Sequence, residues 1–339
     1  MNAHRGSSSA TTAIGVVASA GGVEALSSFA AGLPPDLSAA VLVVLHVSST
    51  GRSVLPEILD RVGPLPARHA RNGEPLTDGV IFVAPPGCHL TVEDGHTRVA
   101  FGPRENGHRP SADVLLRNLA SVFGSHSAGV VLSGTMDDGA AGLQAIGRAG
   151  GLTLGQHPDE AAFPDMPVAA IKQAAPDVVG PISVLTEEIE AWTAQLSRRA
   201  RGESLRPARL LRTADDDPDL MPFTCPDCGG NLSLIDEHGV QRFRCRVGHS
   251  YSHMGLLVGK RSTVETALWA AVVALEERAD VTARIAKRLT DSGSTKADHY
   301  RREAGNSARQ ADFLRGLVQD VMTAPAPYDE EGSDADTTA

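Results

Sequence analysis

Between residue 13 and about residue 196, short runs rich in valine and isoleucine alternate with segments in which alanine and leucine recur at helical spacing. Such runs are too short for helices and are typical of strands that are buried on both faces. Strands that alternate with helices pair in parallel through right-handed crossovers. The sequence therefore predicts an α/β domain with a doubly wound, mostly parallel sheet. The predicted strands lie at residues 14–17, 41–45, 80–83, 130–132 and 152–154.

Helices are predicted between these strands, at residues 22–33, 53–61, 111–123, 140–149 and 167–174. One antiparallel hairpin is expected at residues 89–101, because Asp94-Gly95 between two apolar runs is a strong hairpin signal. A last amphipathic helix, marked by Leu185, Ile189, Trp192 and Leu196, would close the domain.

The rest of the chain divides by composition into further segments. A stretch of arginines followed by aspartates is typical of a solvated linker, and a later apolar periodicity, broken at Ser292-Gly293-Ser294, predicts a pair of helices. The predicted organisation is a disordered N-terminus (1–12), the α/β domain (13–197), the linker (198–220), a metal-binding module (221–255), a helical hairpin (256–322) and a disordered acidic tail (323–339).

Charge and hydropathy exclude several classes of function. The formal net charge of −10 argues against a nucleic-acid-binding protein, whose partner would need a basic face. The longest apolar run, residues 267–275, is about half of the roughly 20 residues that span a bilayer, so no membrane insertion is expected. The first residues lack the apolar segment of a secretory signal, so a cytoplasmic protein is predicted. The oligomeric state stays open.

Three polar residues follow predicted strands. Ser19 stands in a glycine-rich turn after the first strand, His46 directly follows the second, and Asp138 lies in a glycine-flanked turn after a later one. Each alone could be structural, because serine and aspartate commonly cap helices and a single histidine is often a buried core residue. Because the carboxyl ends of parallel strands meet at one edge, the three could instead form a Ser-His-Asp triad.

The residues around these positions resemble the catalytic domain of the CheB-type chemotaxis protein-glutamate methylesterases. The resemblance covers roughly residues 13 to 195 and includes Ala18-Ser19-Ala20-Gly21-Gly22, Leu45-His46, Phe82-Val83-Ala84-Pro85-Pro86-Gly87, His108-Arg109-Pro110-Ser111-Ala112-Asp113, Leu132-Ser133-Gly134 with Asp138-Gly139, and Asp159-Glu160-Ala161 with Met166-Pro167. It implies an esterase that hydrolyses γ-glutamyl methyl esters on chemoreceptors and can deamidate glutamine. It implies Ser19 as nucleophile, His46 as base and Asp138 as the orienting acid, with no cofactor for catalysis.

The chain departs from this family at three points. Ala20 stands where threonine is common, and Thr135-Met136 replaces a frequent Met-Gly pair at the turn expected to supply an oxyanion amide. Backbone amides at Ala20, Thr135 and Met136 are the expected oxyanion donors. Typical members also carry an N-terminal phosphoacceptor receiver domain, but only about a dozen residues precede the first strand here. Control through a receiver domain is therefore not expected, and what replaces it is open.

Three of the four cysteines lie within residues 225–245, whereas Cys88 stands apart. Cys225 and Cys228, then Cys245 and His249, have the spacing of a tetrahedral Cys3His site, which would be a structural zinc site. The segment is too short to build its own core, so the metal would supply folding energy. A loop of reduced cysteines without metal is the alternative, and His253 could replace His249.

Two other functions remain open at this stage. A nucleotide-binding domain would also suit a glycine-rich turn after the first strand, although the known phosphate-binding motifs are missing from the sequence. A non-enzymatic signalling adaptor on a CheB-like scaffold would make use of the metal-binding module and the hairpin alone. The leading prediction is the esterase, acting on a methylated chemoreceptor-like protein. The identity of that protein, its pathway and any deamidase activity are not predicted by the sequence.

Overall fold

The computed structural model describes residues 10–47, 53–199, 219–237, 239–291 and 296–323. These residues form two compact units, one that runs to Leu257 and one that begins at Val258. The first unit contains both the α/β domain and the cysteine-rich segment.

The α/β domain contains nine strands and six helices among the described residues. In chain order they are β1 (Ala13–Ala18), α1 (Gly22–Gly32), β2 (Ala40–Leu45), α2 (Leu55–Val62), β3 (Ala67–His69), β4 (Ile81–Val83), β5 (His89–Glu93), β6 (His96–Ala100), α3 (Ala112–Phe123), β7 (Ser127–Val131), α4 (Ala140–Arg148), β8 (Leu152–Gln156), α5 (Asp165–Ala174), β9 (Val178–Gly180) and α6 (Ile182–Arg199).

Seven of these strands form one sheet in the order β3-β4-β2-β1-β7-β8-β9. Every neighbouring pair is parallel, so the predicted doubly wound α/β fold is confirmed. The strands β1, β2 and β7 are buried along their whole length, which explains their continuous runs of valine, leucine and alanine. The antiparallel hairpin at Asp94-Gly95 is also confirmed as β5 and β6.

Two apolar layers cover the sheet. Helices α1, α2 and α6 pack on one face, with Leu26, Phe29, Leu59 and Ile189 among the buried side chains. Helices α3, α4 and α5 pack on the other face. Because alternate residues of each strand point to opposite faces, β1 sends Val16 to the first layer and Val17 to the second.

The sequence missed the two edge strands, β3 and β9. Each has only three residues and neither is fully buried, so neither carries the apolar run that identifies a central strand. The predicted disordered N-terminus is wrong at its last residues, because Ala10 and Thr12 are buried and Ala10 N–H donates to the carbonyl of Leu76 at 2.9 Å. Residues 1–9 lie outside the described residues.

The cysteine-rich segment forms a small antiparallel sheet. Its strands are β10 (Asp219–Thr224), β11 (Asn231–Glu237), β12 (Val240–Cys245) and β13 (Ser250–Tyr251), paired in that order. We call residues 219–252 the metal module. The ends of the predicted linker were misplaced, since α6 continues through Arg199 and β10 begins at Asp219. Residues 200–218 lie outside the described residues.

Two long helices follow, α7 (His253–Asp291) and α8 (Ala297–Thr323). The second unit contains most of α7 and all of α8, so the predicted helical hairpin is present. An ion pair of 3.0 Å between Arg278 and Glu303 links its two helices. The predicted break at residues 292–294 and the predicted tail after residue 323 lie outside the described residues. In the part of the chain that is described, none of the helices is long and apolar enough to cross a membrane.

Candidate active site and metal site

Ser19 lies at the carboxyl end of β1, in the turn that leads into α1. Its backbone N–H donates to the carbonyl of Ser133 at 2.9 Å, and the Ser133 hydroxyl donates to the carbonyl of Ala20 at 2.8 Å. At Gly134 a Cβ would lie 2.1 Å from the Sδ of Met166 and 2.9 Å from the Cβ of Ser19. Only glycine therefore lets the turn after β7 close on Ser19. The Ser19 hydroxyl makes no hydrogen bond to any residue in the described ranges.

His46 directly follows β2. The register that pairs Ala18 with Leu45 brings Ser19 and His46 onto neighbouring strand ends. The Nε2 of His46 lies 2.8 Å from the Oδ2 of Asp138. Because an ionised carboxylate only accepts hydrogen bonds, Nε2 carries a proton, and in the neutral form of the ring Nδ1 then has the free lone pair. That Nδ1 is buried and has no hydrogen-bond partner among the residues that the structure describes.

Asp138 is buried in the turn between β7 and α4, with its carboxylate at the N-terminus of α3. Its oxygens accept from His46, the Ser111 hydroxyl (3.0 Å), the N–H groups of Ala112 (2.8 Å) and Asp113 (3.2 Å), and the Asn106 side-chain amide (3.2 Å). Burial alone would raise the pKa of Asp138, but the hydrogen bond and charge of His46 hold it well below its usual range. Asp138 is therefore ionised at neutral pH, as an acid that orients an imidazole must be.

The neighbouring carboxyl, Asp137, is in a different environment. Burial raises its pKa to about 6, and the nearby charges of Asp113 and Asp138 act in the same direction. A hydrogen bond from Ser252 of the metal module opposes that increase. Asp137 has no contact with His46 in the described structure, so of the two adjacent aspartates only Asp138 pairs with that ring.

The ring of His108 stacks on the ring of His46. Their centroids are 3.9 Å apart and the planes differ by 2°. Burial, together with the charge of His46, lowers the pKa of His108 to about 4, so this ring is neutral above pH 5. A neutral ring can hold the His46 imidazole in place from one side without repelling it. The sequence named His108 only as part of a segment that carries the family resemblance.

Arg109 contacts the segment that directly follows β6. Its guanidinium lies 3.5 Å from the ring centroid of Phe101, and Nη1 donates to the Gly102 carbonyl at 2.6 Å. No carboxylate in the described ranges forms an ion pair with it.

The three amides expected to hold an oxyanion lie beside Ser19 or in the turn after β7. Ala20 follows Ser19 directly, and Thr135 and Met136 follow Gly134, whose backbone approaches Ser19. Met136 has a left-handed backbone with φ +70°, which is uncommon for a residue other than glycine. None of these three N–H groups donates a hydrogen bond within the described part of the chain, so all three are available to a ligand.

The metal module brings its four predicted ligands together. One ligand atom from each of Cys225, Cys228, Cys245 and His249 lies within 4.8 Å of all the others. The sulfurs of Cys228 and Cys245 are 3.6 Å apart, and the Cys245 sulfur is 3.5 Å from Nδ1 of His249. Zinc–sulfur bonds of about 2.3 Å in a tetrahedron place sulfurs roughly 3.8 Å apart, so the cluster fits such an ion. The residues could hold a metal.

The surroundings of the cluster are ordered by hydrogen bonds. The N–H of Cys245 donates to the carbonyl of His249 at 3.0 Å, which closes the turn between β12 and β13. The hydroxyl of Tyr251 donates to Asp227 at 2.6 Å and lies 3.4 Å from the sulfur of Cys225. His253, considered as a substitute ligand, packs edge-on against Phe243 instead.

Comparison with known sequences gives a consistent result for the α/β domain. The family profile described as "CheB methylesterase" matches residues 14–189, about half of the chain. The protein-glutamate methylesterase/protein-glutamine glutaminase 3 of Paramagnetospirillum magneticum is 34% identical over 177 residues, which cover 52% of this chain and 50% of the relative. Enzyme 3 of Anaeromyxobacter dehalogenans is 38% identical over 181 residues, 53% of each chain.

The chain therefore spans about half the length of the curated relatives that it matches. Among solved structures, the CheB methylesterase catalytic domain of Thermotoga maritima aligns with a TM-score of 0.50 at 25% identity. The alignment covers 52% of this chain and 96% of that domain, so the likeness includes the α/β domain and excludes most of the remainder.

Proposed function

Because the chain belongs to the CheB methylesterase family, we propose that its α/β domain hydrolyses methyl esters of glutamate side chains in proteins, with Ser19, His46 and Asp138 as the catalytic residues. The observation that carries the proposal is the 2.8 Å hydrogen bond between His46 and Asp138, beside the strand end that bears Ser19. The relatives named as glutamate methylesterases support the same substrate class.

The reaction would follow from the chemistry of these three side chains. Nδ1 of His46 takes the proton as the Ser19 oxygen attacks the ester carbonyl, and Asp138 stabilises the imidazolium that forms. The N–H groups of Ala20, Thr135 and Met136 would hold the tetrahedral oxyanion. The imidazolium returns its proton to the leaving methoxide, which departs as methanol. Water then attacks the acyl-enzyme by the same route and releases the glutamate side chain.

The same chemistry extends to glutamine, from which attack by Ser19 would release ammonia instead of methanol. The relatives are named as protein-glutamine glutaminases as well as methylesterases, and this supports a deamidase activity for the present chain. We propose a methylated chemoreceptor-type protein as the substrate on the same basis.

Replacement of Ser19 by alanine is the direct test. We expect Ser19→Ala to lower kcat by roughly 10⁴- to 10⁶-fold, because the attacking oxygen is lost. The measurement is methanol release from a methyl-esterified chemoreceptor, with labelling by a serine-reactive fluorophosphonate as a second readout. The matched control is Ser28→Ala, an exposed serine of α1. A Ser19→Ala chain within tenfold of the wild type would refute the esterase assignment.

For the Cys3His cluster we propose one structural zinc ion. Four protein ligands would saturate a tetrahedral ion and leave no position for substrate, and the distances between the ligand atoms support this geometry. The test is the metal content of the purified chain. We expect about one zinc per chain, lost in Cys225→Ser and kept in Cys88→Ser, since Cys88 lies outside the cluster. Equal zinc content in both variants would contradict the assignment.

A further inference from the structure

Arg242 is a fully buried arginine on β12 of the metal module. Its Nη1 donates to Asp113 at 2.7 Å, and its Nη2 lies 2.7 Å from Glu105. Its Nε donates to the Ser250 hydroxyl at 3.1 Å. Asp113 and Glu105 belong to the α/β domain, so the module inserts a positive charge between two buried carboxylates of that domain. A buried charge is tolerated only where it is paired in this way.

Asn106 connects this arginine to the proposed active site. Its side-chain oxygen accepts from Nη2 of Arg242 at 3.3 Å and from the N–H of Ser252 at 2.8 Å. Its side-chain nitrogen donates to Asp138 at 3.2 Å and to Asp113 at 3.3 Å. Both groups that donate to this oxygen, on Arg242 and Ser252, belong to the metal module. They fix which way the amide points, because a flipped amide would turn NH₂ toward two donors.

The backbone of Asn106 is held by the module as well. Its N–H donates to the carbonyl of Ser250 on β13 at 2.8 Å. Its left-handed conformation, φ +51°, places the side chain between β13 and Asp138. The turn between β12 and β13 contains Cys245 and His249, so two of the four cluster residues define the hairpin that holds Asn106.

Asp113 forms a second path from Arg242 to the same turn. Its Oδ1 accepts from the N–H groups of Gly139 at 3.0 Å and Gly142 at 2.7 Å, which follow Asp138 in the chain. Its other oxygen is the one bound by Arg242. Arg242 therefore contacts both Asn106 and Asp113, the two side chains that bind Asp138 and the residues after it.

From these contacts we infer that the metal module is part of the esterase active site, with Asn106 and Arg242 as positioning residues that hold Asp138 in the orientation His46 requires. The inference rests on the proposed function of the α/β domain. Catalysis depends on precise placement of the reacting groups, and a misplacement of about 1 Å caused by a distant mutation can cost roughly a hundredfold in rate.

The variant Asn106→Gly tests whether Asn106 positions Asp138, because it removes the side-chain amide and should leave the fold unchanged. Glycine accepts the left-handed backbone without strain, and the ion pairs of Arg242 with Asp113 and Glu105 stay intact. We expect kcat for methanol release to fall about ten- to hundredfold with KM unchanged, because the lost amide contacts Asp138 and not the substrate. The control is Asp94→Gly, an exposed residue with the same left-handed backbone at φ +49°.

Arg242→Ala is the second variant, and Arg244→Ala is its control. Arg244 lies two residues further along β12 and pairs with Glu237 near the surface. We expect Arg242→Ala to lower kcat at least as much as Asn106→Gly, and Arg244→Ala to stay within twofold of the wild type. An Asn106→Gly chain within twofold of the wild type, or equal losses from both arginine variants, would overturn the inference.

A spectroscopic readout separates this inference from the esterase assignment. The Nε2 proton of His46, shared with Asp138, gives an NMR signal whose position and exchange rate report on that hydrogen bond without any substrate. We expect this signal to shift or broaden in Asn106→Gly and to stay unchanged in Asp94→Gly. If wild-type and Ser19→Ala chains release methanol equally slowly, the esterase assignment fails. An unchanged His46 signal in Asn106→Gly refutes the positioning role in either case.

Discussion

The α/β domain and the metal module are stabilised in different ways, although both belong to one compact unit. The sheet is covered by two apolar clusters, each with more than twenty buried residues. The module contributes five residues to a cluster of six, the sixth being Leu256 of α7, and two of the five are cysteines of the proposed metal site. Its largest fully buried side chain is Arg242, a charge paired with carboxylates of the neighbouring domain. Apolar burial is therefore sufficient for the sheet and insufficient for the module.

This difference assigns separate roles to the two regions. The sheet can hold Ser19 and His46 on strand ends because its own core fixes those strands. The module has a small apolar cluster and a buried charge that pairs with the neighbouring domain, so we expect its structure to depend on the proposed metal ion under conditions that leave the sheet unaffected. Through Asn106 that dependence reaches Asp138, whose carboxylate accepts from the side-chain amide that the module holds in place.

Removal of the metal should have the largest effect. Structural zinc contributes about 10 kcal/mol or more to folding, so we expect a chelator to unfold the module and leave the sheet intact. Hydrogen exchange with mass spectrometry checks this: residues 223–252 should lose protection while β1, β2 and β7 keep theirs. The Cys88→Ser chain should respond like the wild type. Equal protection of the module before and after chelation would show that it is stable without the ion.

The second largest effect should be a difference in stability between two variants of β12, one at the buried Arg242 and one at the partly exposed Arg244. Arg242→Ala leaves Asp113 and Glu105 without their buried partner, and we expect a loss of about 3–5 kcal/mol in the free energy of unfolding. Arg244→Ala removes a partly exposed pair and should cost about 1 kcal/mol or less. Urea unfolding of the two variants measures the difference. Similar losses would mean that the module docks mainly through other contacts.

Asp137 should destabilise the chain when it is charged. Its pKa is raised to about 6, so the folded state disfavours the carboxylate, and the cost is present above that pH and disappears as pH falls below about 4. We expect Asp137→Asn to increase the free energy of unfolding by about 1–3 kcal/mol at pH 8 and to have little effect at pH 4. Asp36→Asn, at an exposed position, is the control. If Asp137→Asn increased the free energy of unfolding equally at pH 8 and pH 4, the raised pKa of Asp137 would be refuted.

The smallest expected effect is on the pH dependence of stability, and it comes from His108, the histidine that stacks on His46. The pKa of His108 is lowered to about 4, so an unfolded chain binds its proton more readily and stability falls as pH drops from about 6.5 toward 4. His108→Phe keeps a flat ring that cannot titrate. We expect it to reduce the loss of stability between pH 7 and pH 5 by about 1–2 kcal/mol, measured by urea unfolding. His96→Phe, at an exposed site, should leave that loss unchanged.

Particular residues show how far sequence reasoning reached. Buried parallel strands need long apolar runs, so β1, β2 and β7 were visible, and the polar residues that follow them were therefore candidates for one edge of the sheet. The Cys3His spacing predicted a cluster that the fold does assemble. The short edge strands β3 and β9 were missed because three half-buried residues carry no periodicity. Asn106 and Arg242 were missed because single polar residues in turns and strands look the same whether exposed or buried.

The sequence by itself determined the alternation of the central strands with helices, the polar residues that follow those strands, and the four clustered side chains of the metal module. These are local properties, since they depend on residue type and spacing along the chain. Only the tertiary structure decided that His108 stacks on the ring of His46, and that an arginine 129 residues beyond Asp113 pairs with that aspartate. Those contacts join segments distant in sequence, and their geometry exists only after the sheet and the module have packed together.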